Sequence, residues 1–218
     1  MSARSLIIAA LRSTSCRQLN FQTGAVNINA PAYGTIAMCV ENRQIQVVLS
    51  SVFPSTHAMY HKAFNCFVTG NSPSQNLIIH EATHAINDWY RRSIQDVDDE
   101  VSAYLAQMIF LFSQNLSLQR SMIQPQVVSN TRQVMALCRT DERYCNSAAL
   151  GLAAGIAINF LSGGRIDRGT LRPLWDALNR DPDTHRNPAS TLRSYNGISR
   201  TGIPEAMLRD YQGTIVEN

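Results

Sequence analysis

The sequence is poor in charge, in lysine and in long apolar runs. Charged residues make up 16% of the chain and the formal net charge is +3, so no concentrated basic surface for nucleic acid is predicted. The longest apolar run, residues 148–161, contains Asn159 and falls short of the roughly 20 residues that cross a bilayer. We therefore expect no membrane span, and we interpret the run as a core helix in which Gly151 and Gly155 permit close packing.

The five cysteines are odd in number and too irregularly spaced for a disulfide framework. A chain of 218 residues can bury a core large enough to be stable without disulfide bonds. Cys138 and Cys145 can pair across the short segment between them or stay as buried free thiols, and the sequence leaves both alternatives open.

Lys62 is the only lysine among 19 basic residues. A genome rich in G and C gives such a bias without any function. The alternative is a protein that acts inside a foreign eukaryotic cell, where few lysines mean few ubiquitination sites. Residues 1–16 lack the small-residue cleavage pattern of a signal peptide. We expect a protein that is cytoplasmic in its producer and is then secreted or delivered into a target cell without a conventional signal peptide.

The chain length and the hydrophobic periodicity predict one α+β domain over residues 1–218. Residues 1–70 form a β-rich part with extended segments at 34–40, 45–51 and 64–70, and residues 71–218 read as helical. We expect a mostly helical domain with a small N-terminal antiparallel sheet packed on one long helix. One predicted helix has an apolar stripe of Val97, Val101, Tyr104, Leu105, Met108 and Phe112. Further helices are predicted over residues 127–138, from residue 140 to the stop at Gly163-Gly164, and over residues 171–178 and 204–211.

The motif H-E-A-T-H at residues 80–84 is the strongest chemical signal in the chain. Residues at i and i+4 lie on the same face of a helix, so His80 and His84 can both direct a ring nitrogen at one metal ion. Glu81 lies about 100° around the helix, where it can act as general base on a water molecule without being a ligand. The competing interpretation is a pair of core histidines satisfied by hydrogen bonds.

The residues around the motif predict a buried helix. Ser72 is the expected N-cap, Pro73 the first helical residue and Gln75 the partner in a capping box. An apolar stripe is expected beside the histidine face, formed by Ile78, Ala82, Ala85 and Trp89.

A catalytic zinc site needs a third protein ligand and an open position. The extended motif that ends in a third histidine is excluded, because Asn87 and Tyr90 stand at its glycine and histidine positions. Glu100 is the favoured third ligand, since it flanks the apolar stripe of the next helix. The alternatives are Asp96, which suits an N-cap, and two aspartates that suit the first-turn dipole, Asp98 and Asp99.

The string HEATHAINDW resembles the helix of thermolysin-type gluzincins, H-E-x-T-H-A-x-x-D-[YW], and the compact form is similar to bacterial metallopeptidase toxins and effectors. The resemblance implies a zincin-like fold and Zn²⁺ held by His80, His84 and Glu100, with Glu81 as general base. It also implies that Asp88 orients a ligand histidine, which its i+4 spacing from His84 supports; the alternative is a solvated surface aspartate. The gap of 15 residues between His84 and Glu100 is shorter than in thermolysin-type enzymes, which predicts a tight turn near residues 93–96.

Other candidate residues carry less information. A transition-state stabiliser is expected in the C-terminal part, and His185, Arg193 and Tyr195 are unranked candidates. His57 and His61 are also four apart, but no carboxylate lies between them, and we expect them not to be ligands.

These residues predict a zinc endopeptidase, an effector or toxin that cleaves a protein or peptide substrate and has a possible cognate inhibitor or immunity protein. The sheet edge at the strand that ends at Gly70 is expected to bind the substrate backbone by strand addition. The alternative is a zincin-fold sensor or interaction domain that holds metal without peptidase turnover. Glu81 disfavours that alternative, because a structural metal site needs no general base.

Overall fold

The computed structural model describes residues 1–23, 26–122, 124–181, 192–195, 197–199 and 202–216. Within these ranges the chain is mostly helical with short strands, which confirms the predicted α+β class. In chain order the elements are α1 (Ala3–Leu11), β1 (Asn20–Thr23), β2 (Val26–Asn29), α2 (Ala30–Glu41), β3 (Gln46–Ser50), β4 (Ala58–His61), β5 (Cys66–Thr69), α3 (Gln75–Trp89), β6 (Ser93–Gln95), α4 (Asp96–Gln114), α5 (Leu116–Met122), α6 (Pro125–Cys138), α7 (Cys145–Leu161), α8 (Arg168–Leu178), β7 (Leu192–Ser194), α9 (Glu205–Asp210) and β8 (Gly213–Ile215).

Residue contacts divide the chain into two compact units. The first contains Met1–Arg17, Asn29–Arg92 and Ser194–Asn218, and the second contains Gln18–Ile28 and Ser93–Arg193. The single domain that the chain length indicates stays a prediction.

The first unit is built on a four-stranded sheet in the order β4-β5-β3-β8. β3 and β5 run parallel, whereas β4 and β8 join antiparallel at the two edges. The segments predicted at 45–51 and 64–70 both form strands. All four residues of β5 are buried, as suits an interior strand. The strand that ends at Gly70 is therefore not the edge that we expected to bind substrate, and β4 occupies the edge on that side.

The segment 34–40, predicted as a strand, lies within the helix α2. The side chain of Asn29 accepts a hydrogen bond from the Ala32 main-chain N–H, and Pro31 lies in the first turn, which together start a helix. Buried residues then recur at helical spacing: Tyr33, Ile36, Ala37 and Val40. The cap and this period together outweigh the strand preference of the β-branched residues in the segment.

The motif helix α3 packs against α1, α2 and β4. It begins after Ser74, and no side chain caps it, so the predicted N-cap at Ser72 is wrong. The main-chain N–H of Ser72 donates to the carbonyl of Ser55, and that of Ser74 donates to the carbonyl of Thr56. These bonds hold the segment extended, which is why the helix starts later than the capping pattern predicts.

The apolar stripe of α3 is confirmed for three of its four residues. Ile78, Ala82 and Ala85 are fully buried, whereas Trp89 is 39% exposed. Trp89 is the last residue of the helix, two residues before Arg91, where a positive φ turns the chain. That turn and the three-residue strand β6 replace the tight turn predicted near residues 93–96.

The second unit is organised around α4, which contacts α7 and α8, while α7 also packs against α6. Every residue of the predicted stripe on α4 is buried: Val97, Val101, Tyr104, Leu105, Met108 and Phe112. The N-cap is Gln95 rather than Asp96, which is the buried first residue of the helix. The α7 segment is preceded by a short 3-10 turn, Glu142–Tyr144, and the cap of that turn is Asp141 rather than Thr140.

Cys138 and Cys145 form a disulfide that joins the end of α6 to the start of α7, which decides the alternative that the sequence leaves open. The other cysteines that the structure describes, Cys16, Cys39 and Cys66, are free and buried. Burial raises the pKa of the Cys16 and Cys39 thiols to about 11 and that of Cys66 to about 12. A raised thiol pKa favours the protonated form, which is the less nucleophilic one.

The 3-10 turn and α7 together, Glu142–Leu161, are long and apolar enough to span a membrane by length and composition alone. A core helix passes the same test, and α7 buries an alanine-rich face that includes Ala149 and Ala153. The absence of a membrane span stays a prediction. Gly151 is packed as expected, because a Cβ there would lie 2.7 Å from Thr131 Cγ2, but Gly155 has no neighbour within 4 Å of such a Cβ.

The two glycines of α7 form a matched pair for testing the packing of α6 on α7. We predict that Gly151→Ala lowers the free energy of unfolding by about 1–3 kcal/mol, because the methyl group overlaps Thr131. Gly155→Ala, which meets open space, is expected to be neutral or to stabilise by up to about 1 kcal/mol through helix propensity. Urea unfolding of both variants measures the difference, and equal stability would contradict the close packing at Gly151.

Candidate metal centre

The two motif histidines lie one turn apart on α3 with their rings at close range. The ring centroids of His80 and His84 are 5.1 Å apart, and the ring planes are inclined by 74°. The two residues are only 8% and 7% exposed. The spacing predicted from the sequence therefore presents two imidazoles from one helical face, shielded from bulk water.

Glu100, in the first turns of α4, completes a group of potential ligands. One ligand atom from each of His80, His84 and Glu100 lies within 4.8 Å of the other two. Ligand atoms at about 2.1 Å from a tetrahedral zinc ion are separated by about 3.4 Å, which lies within that limit. Two imidazole nitrogens and one carboxylate oxygen are also a donor set that catalytic zinc uses, so the residues fit the ion.

The other acidic residues that the sequence offered as third ligands do not join this group. Asp98 accepts a hydrogen bond of 3.1 Å from the indole N–H of Trp175. Burial raises the pKa of the Asp98 carboxyl, and the bond from Trp175 opposes that rise. Asp96 and Asp99 are buried at the start of α4, at 4% and 0% exposure. The choice of Glu100 over these alternatives agrees with the geometry.

Glu81 is half-buried and its carboxylate is held by the sheet. The main-chain N–H of Tyr60, in β4, donates a hydrogen bond of 2.7 Å to Glu81 Oε2. A main-chain donor has no rotamers of its own, so it fixes the carboxylate more tightly than a flexible side chain would. Glu81 therefore has a defined position although it is not one of the three potential ligands.

The threonine of the motif anchors α3 to α2. The Thr83 hydroxyl donates to the carbonyl of Ile79 at 2.9 Å and lies 2.8 Å from the Tyr33 hydroxyl. Because the single Thr83 hydrogen is used, Tyr33 is the donor in the second bond. Both residues are fully buried, and burial raises the pKa of Tyr33. This bond fixes the rotation of α3 and hence the direction of its histidine face.

Asp88 is fully buried, which rules out the solvated surface aspartate considered from the sequence. Its Oδ2 accepts a hydrogen bond of 2.7 Å from the Tyr60 hydroxyl, and its Oδ1 accepts one of 2.9 Å from the main-chain N–H of Gly197. Burial, followed by the nearby Asp88 charge, raises the pKa of Tyr60. The role of Asp88 in orienting a ligand histidine stays a prediction.

Three residues around Asp88 belong to no sequence motif that would predict their role: Tyr60, Asn65 and Gly197. The Asn65 Oδ1 atom lies 3.2 Å from the Tyr60 hydroxyl oxygen, whose one hydrogen it shares with Asp88, and the Asn65 amide donates to the carbonyl of Ser199 at 3.0 Å. Gly197 has a φ of +90°, and a Cβ there would lie 2.5 Å from the Nε atom of Arg91. Glycine is therefore required at this position.

The remaining histidines and the stabiliser candidates lie elsewhere or outside the described residues. His57 packs edge-on against Phe53, and His61 stacks on Phe64; neither belongs to the ligand group found among the described residues. His185 and the side chain of Arg193 lie outside what the structure describes. Tyr195 is buried, with Lys62 Nζ 5.3 Å from the centre of its ring. A stabilising role for any of these candidates stays a prediction.

Comparison of the chain with known protein families, with characterised proteins and with solved structures gives no match. The interpretation of the site therefore depends on its own residues and their geometry.

Two carboxylates of α4 provide a test of the third ligand. We predict that Glu100→Gln weakens zinc binding by more than about 100-fold, because changes around the ligands alone cost about 10- to 100-fold. Asp98→Asn removes the same charge two residues away but keeps an oxygen acceptor for Trp175, so its zinc affinity should match the parent. Competition with a chromogenic chelator measures both affinities. Equal weakening in the two variants would indicate a general charge effect and remove Glu100 from the ligand set.

Proposed function

We propose that this protein is a zinc-dependent endopeptidase of the gluzincin type, with His80, His84 and Glu100 as metal ligands and Glu81 as general base. The observation that carries the proposal is the approach of ligand atoms from His80, His84 and Glu100 to within 4.8 Å of one another, together with the residue after His80, Glu81, whose carboxylate is held by the Tyr60 N–H. Three protein ligands leave one position of a tetrahedral ion open, which is typical of catalytic rather than structural zinc.

When bound, the zinc ion supplies Lewis acidity to a carbonyl oxygen and lowers the pKa of a water molecule. Glu81 then has the task of accepting a proton from that water and passing it to the nitrogen of the leaving amine. Its carboxylate suits this task because one oxygen is fixed by the Tyr60 N–H and the other can face the reactants. The low exposure of both histidines limits access of bulk water around the reacting groups.

The edge strand β4 supports a peptide as substrate. β4 pairs with β5 on one side, and the Tyr60 N–H points away from β5 toward Glu81. In an antiparallel ladder, alternate residues direct their main-chain groups away from the partner strand, so Ala58 shares this outward direction. An extended peptide can add to such an edge at the outward main-chain groups that Glu81 does not occupy, which places its backbone beside the general base.

Metal analysis together with one substitution tests this function. We predict about one zinc ion per chain in protein purified from zinc-replete medium, and cleavage of an unstructured substrate such as casein. Glu81→Gln should retain the zinc and lower hydrolysis by about 10²- to 10⁴-fold, since Gln keeps the size of the side chain but cannot accept the proton. Protein purified without metal, or a Glu81→Gln variant with full activity, would contradict the proposal.

The proposed substrate is a protein of a cell into which this protein is delivered. The support is compositional, because Lys62 is the only lysine in the chain and a target cell would find few ubiquitination sites. A cognate inhibitor or immunity protein in the producer would belong to the same system.

Expression in the cytosol of a eukaryotic host tests the delivery proposal. We predict that the parent protein slows growth and that Glu81→Gln, expressed at an equal level, does not. Growth is counted after induction, and immunoblotting confirms the expression levels. Harm that persists in Glu81→Gln would assign the effect to binding rather than hydrolysis, and harmless parent protein would remove the delivery proposal.

A further inference from the structure

Tyr60 contacts the motif helix through two chemically different groups. Its main-chain N–H donates to Glu81 Oε2 and its side-chain hydroxyl donates to Asp88 Oδ2, both at 2.7 Å. The two acceptors are seven residues apart on α3, which is about two helical turns or 10.5 Å along the axis. One residue of the edge strand therefore holds both ends of the helical segment that contains His84.

The hydroxyl of Tyr60 is itself restrained. Asn65 Oδ1 lies 3.2 Å from the hydroxyl oxygen and shares its one hydrogen with Asp88, and the Asn65 amide donates to the carbonyl of Ser199. The second oxygen of Asp88 is occupied by the Gly197 N–H. The Tyr60 ring packs on Phe67 of β5, with centroids 5.4 Å apart. Each partner of Tyr60 is thus held by another element, so the distance between β4 and α3 has little freedom.

The carboxylates make these contacts strong. Hydrogen bonds to an ionised acceptor are shorter and stronger than those between neutral groups, and exclusion of water strengthens them further. Asp88 is fully buried and Tyr60 is 8% exposed, so water does not replace the bond between them at low cost. A buried carboxylate that loses its donor must move or recruit another partner.

We propose that Tyr60 is a positioning residue, which sets the Glu81 carboxylate through its main-chain N–H and the His84 end of α3 through its hydroxyl and Asp88. This inference rests on the proposed function, because Glu81 and His84 have their roles only in a zinc peptidase. Asp88 lies four residues after His84 and so on the same helical face, where a shift of its carboxylate reaches the ligand. The Tyr60 hydroxyl acts through Asp88.

A matched pair of tyrosines tests the hydroxyl contact. Tyr33 and Tyr60 are both buried and both donate a hydroxyl hydrogen bond to α3, but Tyr33 binds Thr83 rather than a carboxylate. We expect Tyr60→Phe and Tyr33→Phe to lower the melting temperature by similar amounts. Tyr60→Phe should weaken zinc binding by about 10- to 100-fold and lower kcat by up to about 100-fold with KM little changed, and both losses should clearly exceed those of Tyr33→Phe.

The outcomes separate the positioning role from a structural one. If both variants lose stability alone, with zinc affinity and kcat unchanged, Tyr60 is only a structural residue and the inference is overturned. A parent protein that binds zinc but cleaves nothing overturns the proposed function instead. In that case the zinc affinity of Tyr60→Phe relative to Tyr33→Phe still decides whether the hydroxyl positions the ligand end of α3.

The main-chain contact is tested without metal and without turnover. In metal-free protein labelled with ¹⁵N-tyrosine, the Tyr60 amide proton should resonate far downfield and exchange slowly with solvent, because it donates to a carboxylate. Glu81→Ala should move this resonance upfield and speed its exchange by about 10-fold or more, while the Tyr33 amide, within α2, stays unchanged. A Tyr60 amide that does not respond to Glu81→Ala overturns this part of the inference even if Tyr60→Phe fails to fold.

Discussion

The need to satisfy buried polar groups on α3 is the constraint on which the rest of the site depends. The helix buries His80, Thr83, His84, Asn87 and Asp88, and an unpartnered polar group in such surroundings costs about 1–3 kcal/mol. Hydrogen-bond partners for several of these groups come from separate elements of the fold. Tyr33 of α2 donates a hydrogen bond to Thr83, and Arg92 donates one to Asn87. Asp88 accepts hydrogen bonds from Tyr60 of β4 and from Gly197 of the C-terminal segment. These contacts fix the position and the rotation of α3.

Local spacing was enough to predict which residues form the group of potential ligands. The histidine pair follows from the helical period alone, and Glu100 follows from the position of a carboxylate beside the apolar stripe of the next helix. Both predictions depend on regularities that act within one or two turns. The three ligand atoms that the structure brings together are the ones that this reasoning selects. The class of the fold also follows from periodicity, since the buried stripe of α4 is predicted residue by residue.

The errors occur where two local signals compete or where distant contacts decide. Residues 34–40 have apolar residues that suit a strand, but the cap at Asn29 makes them helical. Ser72 has the capping pattern, yet main-chain bonds to residues 55 and 56 delay the helix. The edge position of β4 depends on the parallel pairing of β3 with β5, which no local signal specifies. Tyr60, Asn65 and Gly197 act over separations of 28 to 134 residues, so single-sequence patterns cannot identify them.

X-ray absorption spectroscopy of the zinc-loaded protein tests the central claim most directly, because it reports the atoms bound to the ion. We predict a four-coordinate zinc ion with nitrogen and oxygen scatterers at about 2.0–2.1 Å, including the outer-shell signal of two imidazole rings. The spectrum should contain no sulfur. A sulfur scatterer at about 2.3 Å, or a shell without imidazole, would contradict the assignment of His80, His84 and Glu100 as the metal ligands.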